Sequence, residues 1–160
     1  MNTQAETLNA VATKRGEGEA IWWFGALAEV KVTAEQTGGR LSLLEITEPP
    51  NMDGPLHVHH RDDEGFFILE GSATIEVGDQ SFEVGPGDFA FGPHGIPHRY
   101  STGPEGCRLL FVMTPGGFEN LVRGMGEPAR SRTLPPASDE EPDWEHVAAV
   151  AKANDCELLA

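Results

Sequence analysis

The sequence predicts an all-β domain, an antiparallel sandwich or barrel, and three observations support this prediction. Short apolar runs recur about every eight to twelve residues from Ala20 onward, with Gly, Pro, Asn or Asp between them. Apolar and polar residues alternate in several runs, for example in residues 74–77 and 81–84, which is typical of strands with one buried and one solvated face. A length of 160 residues corresponds to about one domain.

The elements begin after a polar amino-terminal segment. Residues 1–19 mix small and charged residues without a clear period, so we expect a flexible arm there. The barrel strands follow within residues 20–115, and Gly78 and Asp79 predict a tight hairpin turn between two of them. The runs that we assign to strands are AEVKVTA, RLSLLEI, GFFILEG, ATIEV, SFEV, DFAF and RLLFVM.

Helices are expected only after the barrel. A first helix follows the sequence TPGG and is ended by glycines, and a second is expected from Asp143 to about residue 153. A surface linker rich in Pro, Ser and acidic residues joins them over residues 127–142. We therefore expect residues 116–160 to form a helical extension packed on the barrel or on a dimer partner. The apolar residues at helical spacing are Phe118, Leu121, Val122 and Met125 in the first helix, and Trp144, Val147, Ala148 and Ala151 in the second.

The composition excludes several classes of partner. The 26 acidic and 11 basic residues give a formal net charge of −15, which repels a phosphate backbone, so we expect no nucleic-acid partner. No apolar run is long enough to cross a bilayer and no signal-peptide pattern is present, so we expect a cytoplasmic protein with no membrane partner. Cys107 and Cys156 are far apart and belong to no paired motif, so we expect reduced thiols that bind no metal.

Five of the six histidines lie within residues 54–98, together with one glutamate at a suitable position. His57 and His59 point the same way from an extended strand because strand side chains repeat with a period of two. Glu64 can return on the next strand after a short turn, and His98 can complete the set from a separate strand. Three imidazoles and one carboxylate suit one divalent first-row metal ion, namely iron, nickel, manganese, cobalt, copper or zinc.

A purely structural interpretation of these four residues is that they serve hydrogen bonds in the core or face solvent. Four coordinating groups at these spacings favour the metal site. The remaining histidines have simpler interpretations. His60 should point to the opposite face of its strand and is held only as a reserve ligand, His94 lies in a solvated turn, and His146 lies on the surface of the second helix.

The same residues carry two recognisable motifs. The first motif ends in His-x-His, four residues, Glu, six residues and Gly; the second runs Gly, five residues, Pro-x-Gly, two residues and His. Through these motifs the chain resembles the cupin superfamily. Two positions depart from the pattern, since Gly54 stands only three residues before the first histidine and Thr102 replaces a frequent asparagine, but neither is a ligand. The matching residues are His57, His59, Glu64 and Gly71 in the first motif, and Gly87, Pro93, Gly95 and His98 in the second.

A narrower resemblance rests on the segments PLHVHHRDDEGFFILEG and TPGGFENLVRGMGEPA. Through them the chain is similar to small single-domain bacterial cupins of the quercetinase-like kind. That similarity implies a single jelly-roll-type β-barrel with short carboxy-terminal helices, and a homodimer. It also implies a metal-dependent dioxygenase that acts with dioxygen on an aromatic or enolic small molecule. In such an enzyme the substrate hydroxyl binds the metal ion, and Glu64 serves as ligand, as catalytic base, or as both.

The walls of a substrate pocket follow from strand parity. Phe66 and Ile68 share the inward side with Glu64, and Tyr100 shares it with His98, so we expect these three to contact the substrate, with Phe111 and Met113 behind them. An apolar, partly aromatic wall favours an aromatic or hydrophobic ligand.

Two alternative functions stay open on the sequence. One is a metal-dependent isomerase, cyclase or decarboxylase of a small enolisable compound, which needs only the metal ion and the Glu64 base. The other is a non-catalytic module that binds a small molecule. The sequence selects neither the metal ion nor the substrate.

Overall fold

A computed structural model describes residues 7–159 of the chain. Within this range the protein consists of ten strands and three short helices. The strands are β1 (Ala20–Trp23), β2 (Ala26–Val32), β3 (Ser42–Glu48), β4 (His57–His59), β5 (Asp63–Val77), β6 (Gln80–Val84), β7 (Phe89–Gly92), β8 (His98–Thr114), β9 (Glu127–Pro128) and β10 (Cys156–Leu158), and the helices are α1 (Ala34–Thr37), α2 (Phe118–Met125) and α3 (Trp144–Ala153).

The strands pair antiparallel into a barrel, which confirms the predicted all-β class with few short helices. The long strands β5 and β8 form its centre, with a register that runs from Asp63 opposite Thr114 to Val77 opposite His98. On one side β8 pairs with β3, which pairs with β2, and on the other β5 pairs with β6 and β7. The predicted two-residue turn at Gly78 and Asp79 is confirmed, because Val77 pairs with Gln80 across it.

The core lies on the inward face of these strands. Alternate side chains of β3 are buried, beginning with Ser42 and continuing through Leu44, Ile46 and Glu48. Phe66 and Phe111 interdigitate in the middle, with ring centroids 5.5 Å apart and nearly perpendicular planes. Full burial of each such side chain contributes about 1.5–3 kcal/mol. The inward face is therefore a packed apolar layer with an acid at one end of β3.

The backbone geometry at the end of the first motif requires a glycine. Gly71 adopts a φ of +75°, and a Cβ at this position would lie 2.1 Å from the carbonyl oxygen of Gly106. Register shifts on both sides of Gly71 bend β5 so that its two halves can both pair with β8. Only a residue without a side chain allows this close approach of the two strands.

The carboxy-terminal segment is more integrated with the sheet than the sequence suggests. Helix α2 forms where it is predicted, and it buries Phe118, Leu121 and Val122. Helix α3 also forms, but Trp144 is half exposed and stacks on the ring of Phe24. Two short strands were not anticipated from the sequence: β9 pairs with β1, and β10 pairs with β4. Residues beyond the barrel thus extend the sheet as well as forming helices.

The predicted amino-terminal arm falls partly outside the described residues, since 1–6 are not described. Residues 7–19 contain no helix or strand. They contact the barrel, for example where the Thr13 hydroxyl donates to the carbonyl of Lys31 at 2.7 Å. The flexibility of this arm stays a prediction. Over residues 7–159, no helix is long and apolar enough to span a membrane.

Candidate metal centre

Three strands bring the four predicted ligands together. His57 and His59 lie on β4 with one residue between them, Glu64 lies near the start of β5, and His98 begins β8. His57 and His98 are directly opposite each other where β4 pairs with β8. His59, Glu64 and His98 are almost completely buried, whereas the side chain of His57 is 16% exposed. The arrangement therefore has one side that is open toward a cavity.

Oxygen Oε2 of Glu64 lies at the centre of the cluster. It is 2.8 Å from Nε2 of His98, 3.2 Å from Nε2 of His59 and 4.0 Å from Nε2 of His57. One ligand atom from each of the four residues lies within 4.8 Å of all the others. Two atoms bound to one cation at about 2.0–2.2 Å are separated by about 3–4 Å, so the three distances from Oε2 are close to those of a ligand set.

Backbone carbonyls orient two of the imidazoles. Nδ1 of His57 donates to the carbonyl oxygen of Pro55 at 2.9 Å. Nδ1 of His98 donates in the same way to the carbonyl oxygen of Ile96 at 3.3 Å. In both cases the acceptor lies two residues earlier in the chain. Because Nδ1 carries the proton, Nε2 is left to face the cluster, as a metal-binding histidine requires.

His59 is the ligand whose hydrogen bonding is incomplete. Both of its ring nitrogens are buried without a well-aligned hydrogen bond. The Cys156 thiol and the Glu64 carboxylate nevertheless lie close enough to act on the ring. Burial by itself lowers the pKa of His59, but the adjacent Cys156 thiol and Glu64 carboxylate outweigh burial and raise it to about 10, so a metal ion that binds this ring displaces a proton from it. Buried polar atoms normally have a partner, and a cation bound between the four residues would provide one for a ring nitrogen of His59.

His57 and Glu64 are held in the protonation states that a bound cation requires. Burial, together with repulsion from His98, lowers the pKa of His57 to about 4, so this ring is neutral near pH 7. Burial by itself raises the pKa of Glu64, but the adjacent His59 and His98 rings outweigh burial and hold the pKa far below its usual range. A neutral imidazole and an ionised carboxylate are the forms that bind metal ions. Three nitrogens and one carboxylate oxygen therefore fit a divalent transition metal ion.

The other histidines lie outside the cluster. His60 faces away from it, is exposed, and pairs with Glu157 at 3.0 Å. His94 lies in a turn and contacts Asp63, and His146 contacts the carbonyl of Gly124.

A cavity of about 70 Å³ adjoins the cluster. His57, His59 and Glu64 form part of its wall, and most of the remaining wall is apolar. Strand β1 and the residue after it supply Trp23 and Phe24 to this wall. Helix α2 supplies Phe118, Leu121 and Met125, and β10 supplies Cys156 and Leu158.

The predicted substrate-contacting residues divide into two groups. Tyr100 and Phe111 line the cavity. Phe66, Ile68 and Met113 point inward as expected from parity, but they are completely buried and the cavity does not reach them. Phe66 packs its ring against that of His98, with centroids 6.0 Å apart, and so restricts the orientation of this predicted metal ligand. Strand parity identifies the inward face, but not which inward residues border the empty space.

Sequence reasoning missed several residues of the wall. Glu48 is among them, although the alternation of Leu44, Ile46 and Glu48 on β3 could have placed this acid on the buried face. No local pattern indicates Cys156, because it reaches the cavity through the pairing of β10 with the distant strand β4.

Comparison with known proteins supports the resemblance. A family model described as the cupin domain matches residues 44–113. The chain is 27% identical over 146 residues to a quercetin 2,3-dioxygenase of Bacillus subtilis, which covers 91% of this chain and 43% of that protein. It is 30% identical over 99 residues to an oxalate decarboxylase of Bacillus subtilis, which covers 59% of this chain and 26% of that protein. The chain thus spans less than half the length of these relatives.

Solved structures share the fold. An RmlC-like cupin from Shewanella frigidimarina superposes with a TM-score of 0.58 at 19% identity, covering 71% of this chain and 98% of that one. Oxalate decarboxylase from Bacillus subtilis superposes with a TM-score of 0.59 at 25% identity, covering 70% of this chain and 31% of that one.

Proposed function

We propose that this chain, which belongs to the cupin superfamily, is a metal-dependent dioxygenase of the quercetinase-like kind that acts on an aromatic or enolic small molecule. Its relatives include cupin enzymes, which supports catalysis. The observation that carries the proposal is the position of Glu64. Its carboxylate is buried within 4.0 Å of three histidine Nε2 atoms and forms part of the wall of an apolar cavity.

In this proposal the three histidines bind the metal ion, and Glu64 has a second role as the base. His57, His59 and His98 would hold the ion, and the carbonyls of Pro55 and Ile96 orient two of the rings. A divalent metal ion held there would serve as a Lewis acid that lowers the pKa of a substrate hydroxyl. Because His57 is partly exposed, a substrate in the cavity can reach the four-residue cluster from the side of this ring.

Glu64 acts as the base as well as a ligand. A carboxylate oxygen accepts the proton of the substrate hydroxyl, since the neighbouring imidazoles keep the group ionised. The apolar wall from Phe111, Phe118 and Leu121 excludes water from the deprotonated substrate.

The test of this proposal is oxygen consumption. Protein loaded separately with iron, nickel or cobalt is given a panel of flavonols that includes quercetin, and oxygen uptake is followed with an electrode. Substrate-dependent uptake with at least one metal supports the dioxygenase. No uptake with any metal and any flavonol removes this specific assignment.

One observation favours a second candidate. The cavity of about 70 Å³ is small beside the roughly 300–1,000 Å³ of common ligand pockets, so a small substrate fits it more easily than a flavonol. A metal-dependent isomerase, cyclase or decarboxylase of a small enolisable compound would need the same Glu64 base. Turnover without oxygen distinguishes this candidate from the dioxygenase. Tight ligand binding without any turnover would indicate a non-catalytic binding module.

The partners follow the same proposal. We expect a small-molecule substrate together with dioxygen, and no nucleic acid because of the net charge of −15. A homodimer and a cytoplasmic location stay predictions, and size-exclusion chromatography with light scattering tests the first of them.

A further inference from the structure

A second acid, Glu48, borders the cavity, and unlike Glu64 it has no basic side chain of the described residues beside it. Glu48 ends strand β3, is only 5% exposed, and borders the same cavity as the metal cluster. Glu64 is surrounded by three imidazoles, whereas no Lys, Arg or His of the described residues comes within ion-pair distance of Glu48. Two carboxyl groups of one cavity are therefore held in different environments, which is how proteins assign different roles to like groups.

The hydrogen bonding of Glu48 is incomplete. The Tyr100 hydroxyl donates to Oε1 of Glu48, and across residues 7–159 this is the only hydrogen bond made by the carboxyl group. Oε2 makes no hydrogen bond within the same residues, and protein atoms do not enclose it completely. Since Glu48 borders the cavity, Oε2 is the oxygen that remains for an occupant of that space.

The protonation of the pair fixes the direction of its hydrogen bonds. Burial raises the pKa of Glu48 to about 7, and the hydrogen bond from Tyr100 offsets only part of that effect. A phenol keeps its proton near neutral pH, so the Tyr100 hydroxyl is the donor in its hydrogen bond with Glu48. With Oε1 already accepting from Tyr100, a proton carried by Glu48 sits on Oε2 and can be donated into the cavity.

A purely structural role explains this acid poorly. The inward neighbours of Glu48 on β3 are Leu44 and Ile46, and a further apolar residue there would avoid the cost of a buried carboxyl with one partner. Met52 and Phe111, which also border the cavity, offer it no strong hydrogen bond. A ligand oxygen would satisfy the group.

We propose that Glu48 is a specificity-determining residue, whose carboxyl group donates a hydrogen bond to a ligand oxygen remote from the metal ion. This inference rests on the proposed function, because the metal centre holds the other end of the ligand. It deepens that function by naming the ligand class: a compact molecule with a metal-binding hydroxyl and ketone at one end, an apolar body, and a hydroxyl or carbonyl oxygen at the other end. Tyr100 is the positioning residue that holds the Glu48 carboxyl in place.

A matched pair of small chelators tests the inference. Kojic acid and allomaltol bind metals through the same hydroxyl and ketone groups, and they differ only in that a methyl group of allomaltol replaces the hydroxymethyl group of kojic acid. The dissociation constants of both are measured without oxygen on cobalt-loaded protein, from the change in the visible absorption of the cobalt ion. The variants are Glu48→Leu, Glu48→Gln and Tyr100→Phe, and the control is Glu45→Gln on the outward face of the same strand. Cobalt content is measured for every protein.

The expected result is a preference for kojic acid of about three- to ten-fold in the unchanged protein and in the control, the strength of one neutral hydrogen bond. Glu48→Leu should abolish the preference while allomaltol still binds, and Glu48→Gln should retain most of it, because the amide can still donate. Tyr100→Phe should reduce it. A purely structural acid would change the affinity for both chelators equally.

Equal affinity for the two chelators in the unchanged protein, or a preference that survives Glu48→Leu, overturns the inference. Failure of both chelators to bind also overturns it, because the cavity would then admit no ligand that spans the metal ion and Glu48. If Glu48→Leu does not fold, the Tyr100→Phe protein decides, since an unchanged preference there contradicts the positioning role. These measurements need no turnover, so a protein that binds kojic acid selectively but consumes no oxygen refutes the dioxygenase and not the role of Glu48.

Discussion

Cys156 lies directly opposite His59 in the antiparallel pairing of β10 with β4. Both side chains are buried, and the thiol raises the pKa of the imidazole. Residues directly opposite on neighbouring strands have Cβ atoms about 4.5–5.5 Å apart, so the thiol can restrain the ring. A strand near the carboxyl terminus thus supports a ligand from the first motif.

We therefore expect Cys156→Ala to weaken metal binding by about ten-fold, because loss of a group that orients a ligand typically costs about 10–100-fold. Competition with a chromophoric chelator measures the affinity. Cys107→Ala is the matched control, since Cys107 is also a buried thiol but does not border the cavity. Equal affinities for the unchanged protein and Cys156→Ala would contradict the role of this thiol.

The ligands themselves should be more sensitive. His59→Ala removes one of the three imidazole ligands, and we expect metal content after dialysis to fall to below about one tenth of that of the unchanged protein. His60→Ala serves as the control, because His60 neighbours His59 in sequence but is exposed and pairs with Glu157. Elemental analysis gives both values. Full metal content in a protein with alanine at all three imidazoles would refute the site.

Glu64→Gln separates catalysis from binding. The amide keeps the size of the carboxylate but cannot accept the substrate proton, so turnover per bound metal ion should fall by at least about 100-fold. Glu70→Gln on the same strand is the control, because Glu70 is exposed and pairs with Arg108. The assay is oxygen uptake on a flavonol that the unchanged protein consumes. Unchanged turnover per metal ion would exclude Glu64 as the base.

The raised pKa of Glu48 predicts a pH dependence of stability. The folded protein binds this proton more tightly than the unfolded chain, because the pKa is about 7 rather than 4.5. The contribution of Glu48 is therefore fully present below pH 4.5 and is lost as the pH rises through about 7. Relative to Glu48→Gln, the metal-free protein should lose up to about 3 kcal/mol between pH 4.5 and 8. Urea unfolding of both proteins over this range gives the difference, and parallel curves would contradict the prediction.

Gly71 should tolerate no side chain. Gly71→Ala forces a Cβ against the carbonyl of Gly106 at a positive φ, and we expect a loss of about 2–4 kcal/mol in the free energy of unfolding. Gly85→Ala is the matched control, because a Cβ there meets no atom within 4 Å. It should leave stability unchanged or raise it by up to about 1 kcal/mol. Urea denaturation compares the two, and equal stability would show that the strands can separate at no cost.

The sequence by itself determined the local features of this protein. Alternating side chains and regularly spaced turn residues indicated a barrel, and the period of two placed His57 and His59 on one side of a strand. The hairpin at Gly78 and the amphipathic helix α2 were also predictable. All of these depend on residues that are neighbours along the chain.

Only the tertiary structure decided what surrounds the candidate metal site. Glu48 meets Tyr100, and Cys156 meets His59, across sequence separations of 52 and 97 residues, because particular strands pair in a particular register. Parity correctly placed Phe66 on the inward side, but whether an inward residue borders a cavity or packs beneath it depends on the depth of each layer in the barrel. Local periodicity fixes the direction of a side chain, whereas the choice of its neighbours is set by contacts between distant segments.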